Sequence, residues 1–168
     1  MIDIFLILIL LICVITDVRS RKIYNKVIYP SLMVTFIYHF ATFGWDGLSH
    51  SFLGFLIGFG LLLIPYFMGG MGAGDVKLLG LIGAMKGGAF VFQSFFYIAI
   101  IGAIIALGII LFRKGILKSM TYYMASLRQG VVLKGGIARG SLTATYPYGV
   151  AIAGGAVMGL IFQGWTLI

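Results

Sequence analysis

Long apolar stretches, separated by short polar or glycine-rich segments, make up most of the chain. A helix needs about 20 predominantly apolar residues to cross a bilayer core, and six stretches can be read against that length. They lie at about 4–15 (extended by 1–3 and 16–18), 27–43, 52–68, 76–85, 89–112 and 148–162. The pattern therefore predicts an all-α fold: a polytopic membrane helix bundle with about six transmembrane helices.

The fourth stretch is the shortest. Residues 76–112 are 37 consecutive positions, enough for two short helices or for one long tilted helix with a re-entrant piece. Two adjacent glycines beside a lysine, Lys86-Gly87-Gly88, are typical of a break in a helix. We therefore expect two helices with a turn at this point.

A long polar connection follows the fifth stretch, at about 113–145. Its apolar residues recur at helical spacing: Ile116, Leu117, Met120, Met124 and Leu127. With the lysines and arginine on other faces, this pattern predicts a basic amphipathic helix on the inner leaflet, either as an anchor or as a lid or substrate guide. We expect the whole chain, 1–168, to form a single integral-membrane domain with this segment as its cytoplasmic loop.

Composition supports a membrane protein. Hydrophobic residues make up 61% of the 168 positions and charged residues only 10%, which is typical of a polytopic membrane protein rather than a soluble domain. The net charge of +8 does not indicate a nucleic-acid partner, because the basic residues cluster between apolar stretches. The lipid bilayer is the expected partner of this surface.

The basic residues also predict the orientation. With six crossings, eleven of the twelve Lys and Arg residues fall on one side, which the positive-inside rule makes cytoplasmic. Both termini and a predicted loop at 44–50 then lie outside, with Asp3 and Asp46. Asp17 and Asp75 lie at helix ends on the cytoplasmic side.

These two acids are the candidate catalytic residues. The chain has four acidic residues and no glutamate, and a carboxylate at membrane depth indicates a functional site. Two carboxylates a few ångströms apart do not both ionise readily, so such a pair holds an acid and a base at once. It can activate water and protonate a leaving amide nitrogen. Taken singly, Asp75 is better explained as a helix N-cap and Asp17 as a polar residue at a helix end. Their occurrence together in a chain with so few acids favours a pair.

Glycines cluster before Asp75. Gly69, Gly70, Gly72 and Gly74 lack a Cβ, so the backbone can turn sharply and a substrate strand can approach closely. This segment is therefore a candidate substrate-binding loop. Elsewhere, Gly54-x-x-x-Gly58 and Gly155-x-x-x-Gly159 predict close helix–helix packing.

Neither a metal nor a cofactor is predicted. Cys13 is the single cysteine, so the chain has no CxxC pair, and we expect it to pack as a buried hydrophobe. His39 and His50 have no nearby third ligand and are interpreted as packing or interfacial residues.

Three segments resemble one family. Gly72-Ala73-Gly74-Asp75-Val76-Lys77 resembles the GxGD motif of type IV prepilin peptidases and archaeal preflagellin peptidases, and more distantly that of presenilin-type proteases. The segment from Asp17 to Asn25 is similar to the family's other aspartate motif, with Tyr24 where proline is usual. Tyr146-Pro147-Tyr148-Gly149 is similar to its Pro-aromatic-Gly segment.

The resemblance implies a function. Asp17 and Asp75 would be the catalytic pair. Gly72 and Gly74 would shape the loop and are the candidate substrate-binding residues, and no role is assigned to Lys77. The substrate would be a prepilin-like or preflagellin-like precursor, cleaved after its basic leader at the cytoplasmic face of a bacterial or archaeal plasma membrane. Bifunctional members carry paired CxxC motifs associated with N-methylation; this chain lacks them, so no methyltransferase activity is expected.

Two other functions stay open from the residues alone. Acids within a membrane also mark ion pathways, so a small proton- or ion-coupled transporter using the same pair is the alternative. A non-catalytic assembly subunit, with both acids acting as helix caps, is a third.

Overall fold

The computed structural model describes residues 2–112 and 148–162, with the side chains of 109–112 excepted. These residues form helices joined by short connections and no strand, which confirms the all-α fold. The helices are α1 (Ile2–Ser20), α2 (Asn25–Phe67), α3 (Ala73–Lys86), α4 (Gly88–Phe112) and α5 (Tyr148–Phe162). The predicted amphipathic helix and loop at 113–145 lie outside the described residues.

The second helix is a hairpin of two helical segments. Gly44 has φ 63° and ψ −144°, outside the helical region, and breaks α2 there. The rings of Phe36 and Phe52 lie 6.3 Å apart, whereas a straight helix would separate them by about 24 Å at 1.5 Å per residue. The two segments therefore fold back on each other. The predicted loop at 44–50 is wrong beyond Gly44, because one glycine with a positive φ makes the turn and the helix resumes at once.

The predicted break between the fourth and fifth stretches is confirmed. The third helix ends at Lys86 and α4 begins at Gly88. Between them Gly87 has φ 87°, a conformation that L side chains rarely adopt. The turn therefore depends on the absence of a side chain at this position.

The third helix is the centre of the bundle. Ten of its residues are buried, from Asp75 and Val76 through Leu78 to Met85. Its backbone meets the second segment of α2 directly: a Cβ at Gly54 would lie 2.8 Å from the carbonyl carbon of Gly83. Ser51 Oγ, nearby on α2, donates a 2.7 Å hydrogen bond to the carbonyl of Ala84. The close packing predicted for the Gly54-x-x-x-Gly58 pattern is confirmed.

The glycine pattern of α5 packs in the same way. A Cβ at Gly155 would lie 2.7 Å from the backbone nitrogen of Ile98 on α4, and one at Gly159 would contact Ser94 and Phe90. Small residues therefore bring α5 close to the first half of α4. The Gly155-x-x-x-Gly159 prediction is confirmed.

Helix length and exposed surface are consistent with a membrane protein. Within the described part of the chain, two helices are long and apolar enough to cross a membrane, Asn25–Phe67 and Gly88–Gly108, and α5 is a shorter apolar helix. Many large apolar side chains are exposed, among them Ile4, Leu8, Met33, Ile37 and Phe96. Such an extensive apolar surface is unusual for a soluble monomer and suits contact with lipid.

The chain divides into two compact units, Met1–Ile101 with Pro147–Ile168, and Gly102–Tyr146. The described residues of the second unit are the C-terminal part of α4. All side-chain contacts discussed below lie within the first unit.

Candidate active site

Asp17 lies in the last turn of α1 and is buried, with 5% of its surface exposed. Its carboxylate has a partner far away in the sequence: the backbone N–H of Gly149, at the start of α5, donates a 2.8 Å hydrogen bond to Asp17 Oδ2. A charge-assisted hydrogen bond of this kind favours the ionised carboxylate and fixes its orientation. Asp17 is therefore held between two helices and is more than a polar residue at a helix end.

Asp75 is the third residue of α3 and is also buried, with 8% of its surface exposed. The backbone N–H of Gly72 donates a 3.1 Å hydrogen bond to Asp75 Oδ2. The Asp75 N–H in turn donates to the Gly72 carbonyl at 3.1 Å. Gly72 is thus the N-cap residue, and Asp75 accepts from it within the first turn. The carboxylate still faces a buried environment, which an ordinary cap on an exposed helix does not.

The fold brings the two acids together from separate helices. The carboxylates of Asp17 and Asp75 lie near enough to interact electrostatically. The chain that follows Asp17 packs on the glycine-rich loop, because a Cβ at Gly74 would lie 2.9 Å from the Cβ of Ile23. Two buried carboxylates that interact in this way are less readily ionised together than either would be alone.

The two candidate glycines differ in their surroundings. Gly74 lies against Ile23, with the Ile23 carbonyl oxygen 3.4 Å from the position of an added Cβ. Gly72 has φ −83°, which any residue can adopt, and an added Cβ would meet Asp75 Oδ2 at 3.3 Å. The position whose backbone conformation favours glycine is Gly69, where φ is 77°. Gly74 therefore allows close packing, Gly69 allows the turn, and Gly72 supplies a backbone N–H.

Lys77 joins the two aspartate segments. Its Nζ donates to Asn25 Oδ1 and to the Tyr29 hydroxyl, both at 3.1 Å, and lies 5.2 Å from the centre of the Tyr29 ring. The lysine belongs to the first turns of α3, while Asn25 and Tyr29 belong to the start of α2. These contacts tie the connection after Asp17 to the helix that carries Asp75.

The turn that precedes Asn25 keeps a proline-like shape. Tyr24, which stands where the similar family usually has proline, has φ −80° and ψ 126°. The φ angle fits the range of about −65 ± 15° that proline imposes. The departure from the family pattern therefore leaves the local backbone compatible with that pattern.

Two residues that contribute to the candidate site, Gly149 and Tyr29, were not singled out from the sequence. Gly149 contacts Asp17 through its backbone, and the only signal was its place in the Tyr146-Pro147-Tyr148-Gly149 segment, of which Tyr146 and Pro147 lie outside the described residues. Tyr29 carried no motif. Within residues 2–112 and 148–162, no three His, Cys, Asp or Glu side chains lie together as a metal site would require.

Comparison with models of known protein families gives a match. The family model described as the type IV leader peptidase family matches residues 4–107, a range that includes both aspartates and the glycine-rich loop. No curated protein and no solved structure matches the chain.

Proposed function

The chain belongs to the type IV leader peptidase family, and on that premise we propose that it is a membrane-embedded aspartic endopeptidase. Its substrate is a type IV prepilin-like or preflagellin-like precursor, cut between the basic leader and the hydrophobic helix that follows. The observation that supports this most is that Asp17 and Asp75, on two different helices, are both buried and lie within electrostatic range of each other.

The pair carries out hydrolysis with one proton shared between two carboxylates. The ionised carboxylate takes a proton from water, and the water oxygen bonds to the scissile carbonyl carbon. The protonated partner gives its proton to the amide nitrogen, and the carbon–nitrogen bond breaks. The backbone N–H groups of Gly72 and Gly149 orient the carboxylates beforehand, so little reorganisation is needed during the reaction.

The glycine-rich loop offers a place for the precursor. Gly69, Gly70 and Gly72 are exposed, while Asp75 beside them is buried. An extended peptide can therefore approach the backbone closely and bring its scissile bond to the acids. We assign Gly72 and Gly74 to this substrate-binding loop.

The proposed topology has six crossings, with the two segments of α2 counted separately and the site toward the cytoplasm. Asp3 and Lys86, both expected on the outer side, form a 2.8 Å ion pair at the end of α1 away from Asp17. Fourteen residues of helix separate Asp3 from Asp17, about 21 Å at 1.5 Å per residue. This separation supports opposite sides for the ion pair and the acid pair.

The position of the acids favours a peptidase over a transporter. Asp17 is three residues from the end of α1, and Asp75 is the third residue of α3. A coupling site for ions is expected nearer the middle of the crossing helices. The proposed reaction uses no cofactor and includes no methyl transfer.

Co-expression with a prepilin-like precursor tests the proposal. Wild type is expected to shorten the precursor on an immunoblot, and Asp17→Asn and Asp75→Asn are expected to leave it uncut while accumulating normally. Asp46→Asn is the matched control, because Asp46 is exposed and lies just after the bend in α2. Retained cleavage in either site variant would contradict the pair. Ion flux in vesicles that depends on Asp75, without cleavage, would favour the transporter.

A further inference from the structure

Gly149 contacts Asp17 in a way that leaves no room for a side chain. It is the second residue of α5, and an added Cβ would lie 2.7 Å from Asp17 Oδ2 and 3.1 Å from both Asp17 Cβ and Cγ. A flexible side-chain tip can move away from such a methyl group. Here the neighbour includes the Cβ of Asp17, which is fixed by the backbone of α1, so the carboxylate itself must be displaced.

The N–H of Gly149 is available because of its place in the helix. The first N–H groups of a helix have no acceptor within that helix. That of Gly149 donates to Asp17 Oδ2 at 2.8 Å, 132 positions apart in sequence. The N-terminal end of a helix also favours a negative charge. Gly149 thus supplies the N–H that donates to Asp17, and its lack of a side chain leaves the space in which the Asp17 carboxylate lies.

Asp75 is held by a donor of the same kind, but a local one. Gly72, three residues earlier, donates its N–H to Asp75 Oδ2. Each acid therefore has a glycine N–H on one oxygen, one within the GxGD segment and one from the last described helix. The family model matches residues 4–107, so the contact from α5 lies outside the matched segment.

We propose that Gly149 is a positioning residue, which fixes the place and orientation of the Asp17 carboxylate for its work with Asp75. This role rests on the proposed peptidase function. It makes the start of α5 part of the catalytic unit, although no side chain of α5 is required to react. Displacing a catalytic group by about 1 Å can cost about 100-fold in rate, so a single methyl group at this position is expected to matter.

Three substitutions of one kind on one helix test the role, with kcat and KM measured per folded molecule in detergent. Gly149→Ala is expected to lower kcat about 100-fold with KM within about threefold of wild type. Gly154→Ala is the neutral control, since its Cβ meets only the Ile101 side chain, with the flexible Cδ1 at 3.3 Å and Cγ2 in ordinary contact at 3.9 Å. Gly155→Ala is the structural control: it clashes with the Ile98 backbone, so it lowers the folded yield and leaves kcat per folded molecule unchanged.

A stability cycle covers the case in which Gly149→Ala folds poorly. In an Asp17→Ala background the carboxylate is gone, so Gly149→Ala is expected to lower the apparent Tm by less than half as much as in wild type. An equal loss in both backgrounds would overturn the contact. A Gly149→Ala enzyme with wild-type kcat would also overturn the positioning role of Gly149. If Asp17→Asn were inactive in the same assay, the peptidase function would stand without that role. If the wild-type enzyme cut no precursor, both the peptidase function and the positioning role of Gly149 would be overturned.

Discussion

At the scale of single residues, one acid is held by a partner close to it in the sequence and the other by a distant partner. Asp75 accepts from Gly72, three positions away, so the GxGD segment alone predicts a loop that orients this carboxylate. Asp17 accepts from Gly149, and nothing local to Asp17 indicates that partner. The sequence therefore singled out both acids as candidates, while the partner of Asp17 became visible only from the packing of α1 and α5.

The glycines before Asp75 give a residue-scale prediction. Gly74→Ala places a methyl group against the Ile23 Cβ and backbone, and we expect it to destabilise the protein by about 1–3 kcal/mol, as overpacking does. Gly72→Ala keeps an allowed backbone and its N–H but places a poorer residue at the N-cap of α3, so we expect a smaller loss, below about 1 kcal/mol. Thermal unfolding in detergent measures both. Equal losses at the two positions would show that Gly74 does not pack as described.

At the scale of helices, glycine breaks and glycine contacts decide the arrangement. The break at Lys86-Gly87-Gly88 could be predicted because two glycines interrupt an apolar run. The bend in α2 was predicted as a seven-residue loop, 44–50, although Gly44 alone makes the turn. The polar residues around Asp46 and His50 suggested a loop, but residues at the end of a helical hairpin can be polar and still helical.

The contact between α2 and α3 gives an element-scale prediction. Gly54→Ala forces the backbones of α2 and α3 apart at Gly83, and we expect a loss of about 1–3 kcal/mol in thermal or denaturant unfolding. Gly60→Ala lies on the same helix segment with nothing within 4 Å of the added Cβ. Alanine forms helices better than glycine, so this control is expected to be neutral or slightly stabilising. A destabilising Gly60→Ala would point to a general intolerance of α2 rather than to the contact.

Lys77 gives a second prediction at this scale. Lys77→Met removes the hydrogen bonds to Asn25 and Tyr29, so the connection after Asp17 is held less firmly and we expect kcat to fall about tenfold. Tyr29→Phe keeps the ring under the ammonium group and loses one hydrogen bond, worth about 1 kcal/mol, so its effect is expected to be smaller.

Lys86→Met is the control for this pair of variants. It breaks the ion pair with Asp3 at the opposite end of α1. We expect a lower folded yield with kcat per folded molecule unchanged. If Lys86→Met lowered kcat as much as Lys77→Met, the effect of Lys77 would be a general loss of stability and not the alignment of the two aspartate segments.

At the scale of the whole molecule, composition predicted a membrane protein, and the positions of the lysines and arginines predicted which helix ends share a side of the membrane. The Asp3–Lys86 ion pair lies at one end of α1, and Asp17, within electrostatic range of Asp75, lies at the other. Helix pairing is the part that could not be predicted. The apolar stretches are similar to one another, and only the packed glycines distinguish the faces that meet.

Labelling in cells tests the proposed orientation. In a Cys13→Ala background, Ser49→Cys is expected to react with a membrane-impermeant maleimide from outside, since Ser49 is exposed near the bend in α2. Ser20→Cys, exposed at the end of α1 beside the site, is expected to react only in inverted vesicles. The reverse pattern would place the acids outside and would exclude cleavage at the cytoplasmic face.

The pairing of Asp17 and Asp75 is tested most directly by the kinetics of purified enzyme, reconstituted in liposomes, on a prepilin-like precursor. Residues that act as one unit lose about as much activity singly as together. We therefore expect Asp17→Asn and Asp75→Asn each to lower kcat by about 10⁴-fold or more, with the double variant no slower than the slower single one. A single variant within tenfold of wild type, or losses that multiply in the double variant, would contradict the two-aspartate pair.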